Sequence, residues 1–265
     1  MKHRIELFLC VLIGLLLYGL NGCTQSVPVE TSGERIVSLS PGITATIVDI
    51  GQGKNVVGRS AFCTTVDARI PVVGDLYSVD YERLLRLRPT KVFVQKTAGE
   101  IDSHLLKLAE EGDFSLHAWK CDRVGEIAAM HDELLQLLSV KGAPMRITLQ
   151  ETGIPLPETI LIMTPGSDGK AGLCFGRQTY LDDLLDMMGG INAIKSSGWI
   201  SLSIEDIARL SPSVIVVISD TQFALSKGIL SLDIPIISFI HPDVLIPSSR
   251  ITEVAIALQH KIRAQ

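Results

Sequence analysis

Aromatic residues are scarce. They make up 5% of the 265 positions, with two tryptophans and four tyrosines, so any pocket that stacks a flat ligand must draw on few side chains. Basic clusters are also missing. The formal charge is −5, which argues against recognising nucleic acid or an anionic membrane through bulk charge. No apolar run is long enough to span a bilayer: Leu7–Leu20 covers fourteen residues, about 21 Å of helix against a hydrocarbon core of ~30 Å. There is no G-x-S-x-G elbow, no H-E-x-x-H, and no pair of carboxylates placed for acid/base work. Cysteine spacings match no zinc pattern. His117 and Cys121 in "HAWKC" stand four apart, which suits a metal only on a helix, and this segment reads as the end of a strand. "GSDGKAG" (Gly166–Gly172) lacks the four-residue gap and the Ser/Thr of a phosphate loop and reads as a mobile loop. Nothing here argues for catalysis or for a resident cofactor or metal.

What is present describes a globular protein, 46% hydrophobic and 20% charged, with room for two compact units. The basic start "MKHRIE" and the run after it read as a signal peptide over residues 1–22. "LNGC", Leu20 to Cys23, resembles the lipobox of bacterial lipoproteins, which implies cleavage before Cys23 and a diacylglycerol anchor on its thiol. Secretion with cleavage elsewhere is the alternative. Either way the mature chain is exported, to the periplasm or the cell surface. Residues 23–33 are polar and aperiodic, a tether. Cys63, Cys121 and Cys174 remain in the mature protein. An odd number in an oxidising compartment suggests one bridge, preferably Cys63 with Cys121, or else three buried free thiols.

Short β-branched runs then alternate with helical patterns. Strands are expected at Arg35–Leu39, Lys91–Gln95, Thr159–Thr164, Ser213–Ser219 and Pro235–Phe239. Helices are expected in "IDSHLLKLAEEG", "TYLDDLLDMMGG" and "RITEVAIALQHKI". This is an α/β pattern with mainly parallel sheets flanked by helices. An internal repeat divides it in two. "VDYERLLRLRPTKVFV" from Val79 aligns without gaps on "LSIEDIARLSPSVIVV" from Leu202, so Glu82 meets Glu205 and Pro89 meets Pro212. A weaker pair is "GKNVV" at Gly53 with "GINAI" at Gly190. The expected organisation is an N-terminal lobe over 34–122, a helical linker over 123–157 and a similar C-terminal lobe over 158–265. The linker should hold one helix to Val140 and a second from Pro144 to about Thr152.

"SLSPGITATIVDIGQG" superficially suggests a nucleotide fingerprint, but its glycines follow the helical stretch, where the dipole is negative. They read as a helix stop. The strand-to-helix corner is "SLSPG", with Ser40 as N-cap and Pro41 at the first helical position. Such corners at the carboxyl ends of strands are where α/β proteins meet ligands.

Taken together, "RIVSLSPGITATIVDIGQGKNVVG" through "KVFV", "YLDDLLDMMGGINAI", "SGWISLSIEDIARLSPSVIVV" and "HPDVLIPSSRI" resemble class III extracytoplasmic substrate-binding proteins of ABC importers. The resemblance covers about Arg35 to Ile262. It implies two α/β lobes with a ligand cleft between them and delivery of cobalamin, haem or a ferric siderophore to a permease dimer with its ATPase subunits. Cobalamin or a related tetrapyrrole is the first choice. By the same resemblance, Glu82 and Glu205 are the docking carboxylates. Phe62, Tyr77, Gln95, Lys96, Trp199 and His241 would face the ligand, alongside Ser40 and Pro41. A monomer anchored in the membrane by its lipid is implied. The connecting segment is shorter than the family's and is interrupted at "GAP". The rival readings are a metal-dependent hydrolase or chelatase on this fold and a scaffold lipoprotein that binds nothing.

Overall fold

The computed structural model describes residues 33–75, 77–96, 101–149, 155–166 and 171–264. The signal peptide, Cys23, nearly all of the tether, residues 150–154 of the connection and residues 167–170 of "GSDGKAG" lie outside them.

The first sheet holds β1 (Ile36–Ser38), β2 (Val56–Ser60), β3 (Val72–Gly74), β4 (Lys91–Gln95) and β5 (Ser115–Trp119) in the order β3-β2-β1-β4-β5, all parallel. Its helices are α1 (Pro41–Asp49), α2 (Tyr81–Arg86) and α3 (Ser103–Glu110). Next comes α4 (Val124–Leu137). The second sheet holds β6 (Ile160–Met163), β7 (Leu173–Phe175), β8 (Trp199–Ser201), β9 (Val214–Ser219) and β10 (Ile236–Ile240), in the order β10-β9-β6-β7-β8. Its helices are α5 (Tyr180–Met188), α6 (Ile204–Leu210), α7 (Lys227–Leu230) and α8 (Ile251–Arg263). The sheet is not wholly parallel, because β7 runs antiparallel to both neighbours. Residues 164–172 between β6 and β7 are too few for a crossover helix, so the chain must turn straight back.

The repeat is structural. Asp80 and Ser203 cap α2 and α6, accepting from the backbone N–H three residues on at 2.9 and 3.1 Å. Leu84 and Ile207 are each fully buried beneath their helix. Both helices end in a left-handed residue, Arg88 (φ 45°) and Ser211 (φ 47°), just before the aligned prolines. β4 then pairs with β1 from Lys91 opposite Ile36, as β9 pairs with β6 from Val214 opposite Ile160. The weaker repeat is shifted by one residue: Val56 lies beside Ile36, whereas it is Asn192, aligned with Asn55, that bridges to Ile160.

Gly51 and Gly189 close α1 and α5 with positive φ, 80° and 81°. In each lobe the next residue's N–H reaches back five positions, Gln52 to Ile47 and Gly190 to Leu185. This is the Schellman closure, and it confirms "GQG" as a helix stop.

One buried cluster runs through both lobes. It takes Ile36, Ile43 and Phe93 from the first, Ile127, Met130 and Leu134 from α4, and Phe175, Tyr180 and Val216 from the second. The interior faces of α4 therefore serve as core for both sheets. The second linker helix is absent among the described residues. Over 145–149 the half-buried residues are Met145, Ile147 and Leu149, at the period of two of an extended chain packed on that core. Asp132 accepts from the Met145 N–H at 2.9 Å and fixes where the segment begins.

The preferred Cys63–Cys121 bridge is not formed. All three described cysteines are free and buried. Cys63 follows β2 and Cys121 follows β5, with β1 and β4 between those strands. Three strand intervals of ~4.8 Å far exceed the Cα separation a disulfide tolerates. Cys63 Sγ instead contacts Thr44 Oγ1 at 3.0 Å. Burial, then the nearby carboxylates of Glu126 and Asp122, push the Cys121 thiol up to about 12.

Candidate functional site

Because β1–β5 are all parallel, their carboxyl ends share one edge of the sheet, and most of the predicted ligand residues sit there. Ser40 and Pro41 follow β1, Phe62 follows β2, Tyr77 follows β3, and Gln95 ends β4 with Lys96 after it. The strand order reverses direction between β1 and β4, which makes that junction the topological switch point. Ser40 and Gln95 flank it and are joined, Ser40 Oγ donating to Gln95 Oε1 at 2.9 Å.

This bond corrects the expected role of Ser40. Its backbone sits at the N-cap of α1 and its carbonyl accepts from Thr44, but its side chain makes no cap hydrogen bond. The hydroxyl is fully buried and spent on Gln95. Thr44 Oγ1, also buried, donates to Ser40 O at 2.8 Å and braces the corner from below. Gly42 is obligatory in the first turn of α1, since a Cβ there would lie 2.3 Å from Pro247 O.

Tyr77 and Phe62 are the conspicuous apolar groups at this edge, 86% and 65% exposed. Tyr77 tips a tight loop. Asp75 Oδ1 accepts from Tyr77 N and Ser78 N at 2.8 and 3.0 Å, and Asp75 N donates to Ser78 O. Gly74 permits that loop with φ 147°, since a Cβ would lie 2.2 Å from Ser78 O. Lys96 is exposed, its N–H bonded to Trp119 O at 2.7 Å.

In the second lobe Trp199 opens β8 opposite Phe175. It is 46% exposed, with its ring 4.7 Å from Phe175 and 6.5 Å from Tyr180. One face is thus seated on core aromatics while the rest is open. His241 follows β10 and stacks on Phe239 at 6.0 Å. Its Nδ1 accepts from Asp243 N at 3.1 Å, so a neutral ring carries its proton on Nε2. The structure does not join Trp199 and His241 directly, since they belong to opposite edges of the sheet. Tyr180 links their neighbourhoods: its hydroxyl donates to the Val244 carbonyl at 2.9 Å.

Glu82 and Glu205 are the second residues of α2 and α6, and both are exposed. Glu82 is paired with Arg86 one turn on. In the other lobe Arg209 is held by Asp206 at 2.8 Å, and Glu205 has no partner among the described residues. No group of three or more His, Cys, Asp or Glu suited to a metal occurs among the described residues.

Two interlobe clamps were not anticipated. Arg123, before α4, forms a bidentate ion pair with Asp183 of α5, whose carboxylate also accepts from Val124 N at 2.8 Å. The C-terminal segment returns to α1: Arg250 bonds Asp49 at 2.9 Å and Asp243 at 3.3 Å, and Ser249 donates to Asp49 and to Thr46 Oγ1. These partners stand 60 and 201 residues apart. Lone charges on helices carry no signal of such pairing. "RITEV" shows only a helix start.

The architecture is the two-lobed α/β fold of class III substrate-binding proteins. The periplasmic haem-binding protein BhuT, solved with two haems, matches with a TM-score of 0.71 and 19% identity over 88% of this chain and 99% of that one. The periplasmic vitamin B12-binding protein BtuF of Vibrio cholerae matches with a TM-score of 0.62 and 17% identity, over 88% of this chain and 98% of that one. In sequence, the chain is 24% identical over 215 residues to YvrC of Bacillus subtilis, described as an uncharacterized ABC transporter substrate-binding lipoprotein, across 74% of this chain and 67% of the relative. No protein-family model matches.

Proposed function

We propose that this protein is the solute-binding subunit of an ABC importer, exported and anchored through Cys23. It captures a tetrapyrrole, cobalamin or haem, between its lobes and passes it unchanged to a permease with its ATPase subunits. An iron–siderophore complex is the next candidate. The observation that carries the reading is the pairing of exposed aromatics with the Ser40–Gln95 junction at the edge of lobe 1, on a fold shared with haem and B12 binders. Tyr77, Phe62 and Trp199 supply open ring faces in a chain that has few, and a flat macrocycle gains most from burying such area. Lys96 offers a cation for a carboxylate on the ligand's rim. Glu82 and Glu205 stand free of the ligand residues, one per lobe, where arginines of a permease dimer can meet them.

The test is tryptophan quenching of the mature protein titrated with cobalamin, haem and ferric siderophores. Saturable binding of one of them, micromolar or tighter, is expected, and Trp199→Ala should weaken it about tenfold or more. Silence from all three ligand classes would end the transport reading. Glu82→Ala with Glu205→Ala should abolish uptake while leaving ligand affinity unchanged.

A further inference from the structure

The bond between Ser40 and Gln95 decides which way the Gln95 amide faces. Ser40 is fully buried, and its hydroxyl has one bond among the described residues, to Gln95 Oε1 at 2.9 Å. The corner around it is already supplied with donors: Ser38 Oγ and Thr44 Oγ1 both donate to Ser40 O, at 3.3 and 2.8 Å. Were the amide turned round, its NH2 would donate to Ser40 Oγ and leave the serine proton without an acceptor. A buried donor with no partner is costly, so the amide carbonyl faces inward. Gln95 Nε2 then points away from the corner. It has no partner among the described residues and is not buried, so it presents two N–H groups to solvent at the switch point.

Two cations stand beside that donor. Lys96 follows Gln95, and Lys120 follows Trp119, which pairs with Gln95 across the sheet. Both are exposed, and neither has an ion-pair partner among the described residues. Asp122 feels the charge of Lys120 but makes no ion pair with it. This end of β4 and β5 thus offers a fixed neutral donor and two free ammoniums. Such a set favours an oxygen that carries negative charge. A hydrogen bond to a charged acceptor raises affinity roughly tenfold more than one to a neutral acceptor, whereas an exposed ion pair adds only severalfold. Gln95 decides the preference, and the lysines assist it.

We propose that Gln95 is the donor for a carboxylate on the ligand's rim, that Ser40 is the positioning residue that holds its amide for this, and that the ligand is a carboxylate-rimmed tetrapyrrole. Haem carries such carboxylates, whereas the rim of cobalamin carries amides. This narrows the transport reading above, on which it rests.

The test titrates the mature protein with haem, with haem dimethyl ester, with cobalamin and with a ferric siderophore, each followed by tryptophan quenching. The ester keeps the macrocycle and lacks the free carboxylates. Wild type should bind haem roughly tenfold or more tightly than the other three. Gln95→Glu keeps an acceptor for Ser40 but turns a carboxylate outward in place of the NH2. It should weaken haem roughly tenfold or more, and the ester severalfold at most. Gln95→Leu should cut the preference for haem over its ester to severalfold, the share left to the lysines. Ser40→Ala should weaken haem severalfold in the wild-type background and not at all beside Gln95→Leu, a non-additivity that a merely structural serine would not produce. Thermal midpoints verify folding, and Gln95→Glu, which keeps its bond to Ser40, serves if Gln95→Leu does not fold. Equal affinity for haem and ester, or a preference for cobalamin or the siderophore, would overturn the proposal and leave the transport reading standing. If wild type binds none of them, the transport reading fails and the proposal fails with it.

Discussion

The two lobes solve one packing problem with different flanks. Beside its central strand, lobe 1 adds β2 and β3, both parallel, while lobe 2 adds β7, antiparallel to both its neighbours, with β8 beyond it, and keeps a single bridge at Asn192 where β2 would be. The unit on the other side is nearly unchanged: cap, short helix, left-handed residue, proline, buried strand. The difference shows where the constraint lies. The helix–strand unit keeps an exposed carboxylate in its first turn and buries its strand in both lobes. The opposite flank is free to vary, and it carries the exposed Phe62 and Tyr77 in lobe 1 and Trp199 in lobe 2.

Gly58 gives the sharpest way to break the comparison. Its Cβ would fall 2.6 Å from Val73 Cγ2 and 3.0 Å from Val37 Cγ2 as well as against Leu87. β-branched neighbours have little rotamer freedom with which to yield. Gly58→Val should cost about 2–3 kcal/mol and lower the thermal midpoint by roughly 4–12 °C. Lys195→Val, at an exposed position beyond the Asn192 bridge of lobe 2, should move stability by less than about 0.5 kcal/mol. Equal effects in the two lobes would mean that Leu87 and Val73 are not packed against Gly58.

The clamps sharpen it next. Asp183 is the more buried carboxylate, 14% exposed against 30% for Asp49, and it also holds the first N–H of α4. Asp183→Ala should therefore cost about 2 kcal/mol and Asp49→Ala about 1 kcal/mol in urea unfolding. The core cluster is continuous through both lobes and α4, so each variant should still unfold in one transition. A curve split into two steps would show that the clamps, and not the shared core, bind the lobes together.

Much of this was legible because it is local. Strands such as Lys91–Gln95 announced themselves as buried β-branched runs, and the repeat gave the register of Glu82 with Glu205. The strands β3, β7 and β8, three residues each, are too short to carry a period. The extended run at Met145–Leu149 was mistaken for helix because a proline after a glycine suits a helix start equally well. Ser40 was placed correctly but given the wrong bond: its hydroxyl had a choice between the helix N–H groups and Gln95, 55 residues away. The clamps, and the exposure of Leu210 where its counterpart Leu87 packs on the core, are properties of packing between distant segments, which no local pattern encodes.

The smallest expected effect tests the deepest likeness. Arg88 and Ser211 both hold left-handed backbone, at φ 45° and 47°, immediately before a proline turn into the buried strand. Outside glycine that conformation brings Cβ against the following carbonyl at a cost of about 1 kcal/mol. Arg88→Gly and Ser211→Gly each relieve it, while the glycine's extra freedom in the unfolded chain takes part of the gain back. Each should raise stability by about 0.5 kcal/mol. Neither side chain is a partner in any hydrogen bond or ion pair among the described residues, so the backbone term should appear alone. If the lobes are true copies at this turn, the two gains should agree within error and add in the double variant, because the sites share no contacts. A gain in one lobe with a loss in the other would mean that the matching angles arise from different local forces, and that the repeat is a likeness of shape only.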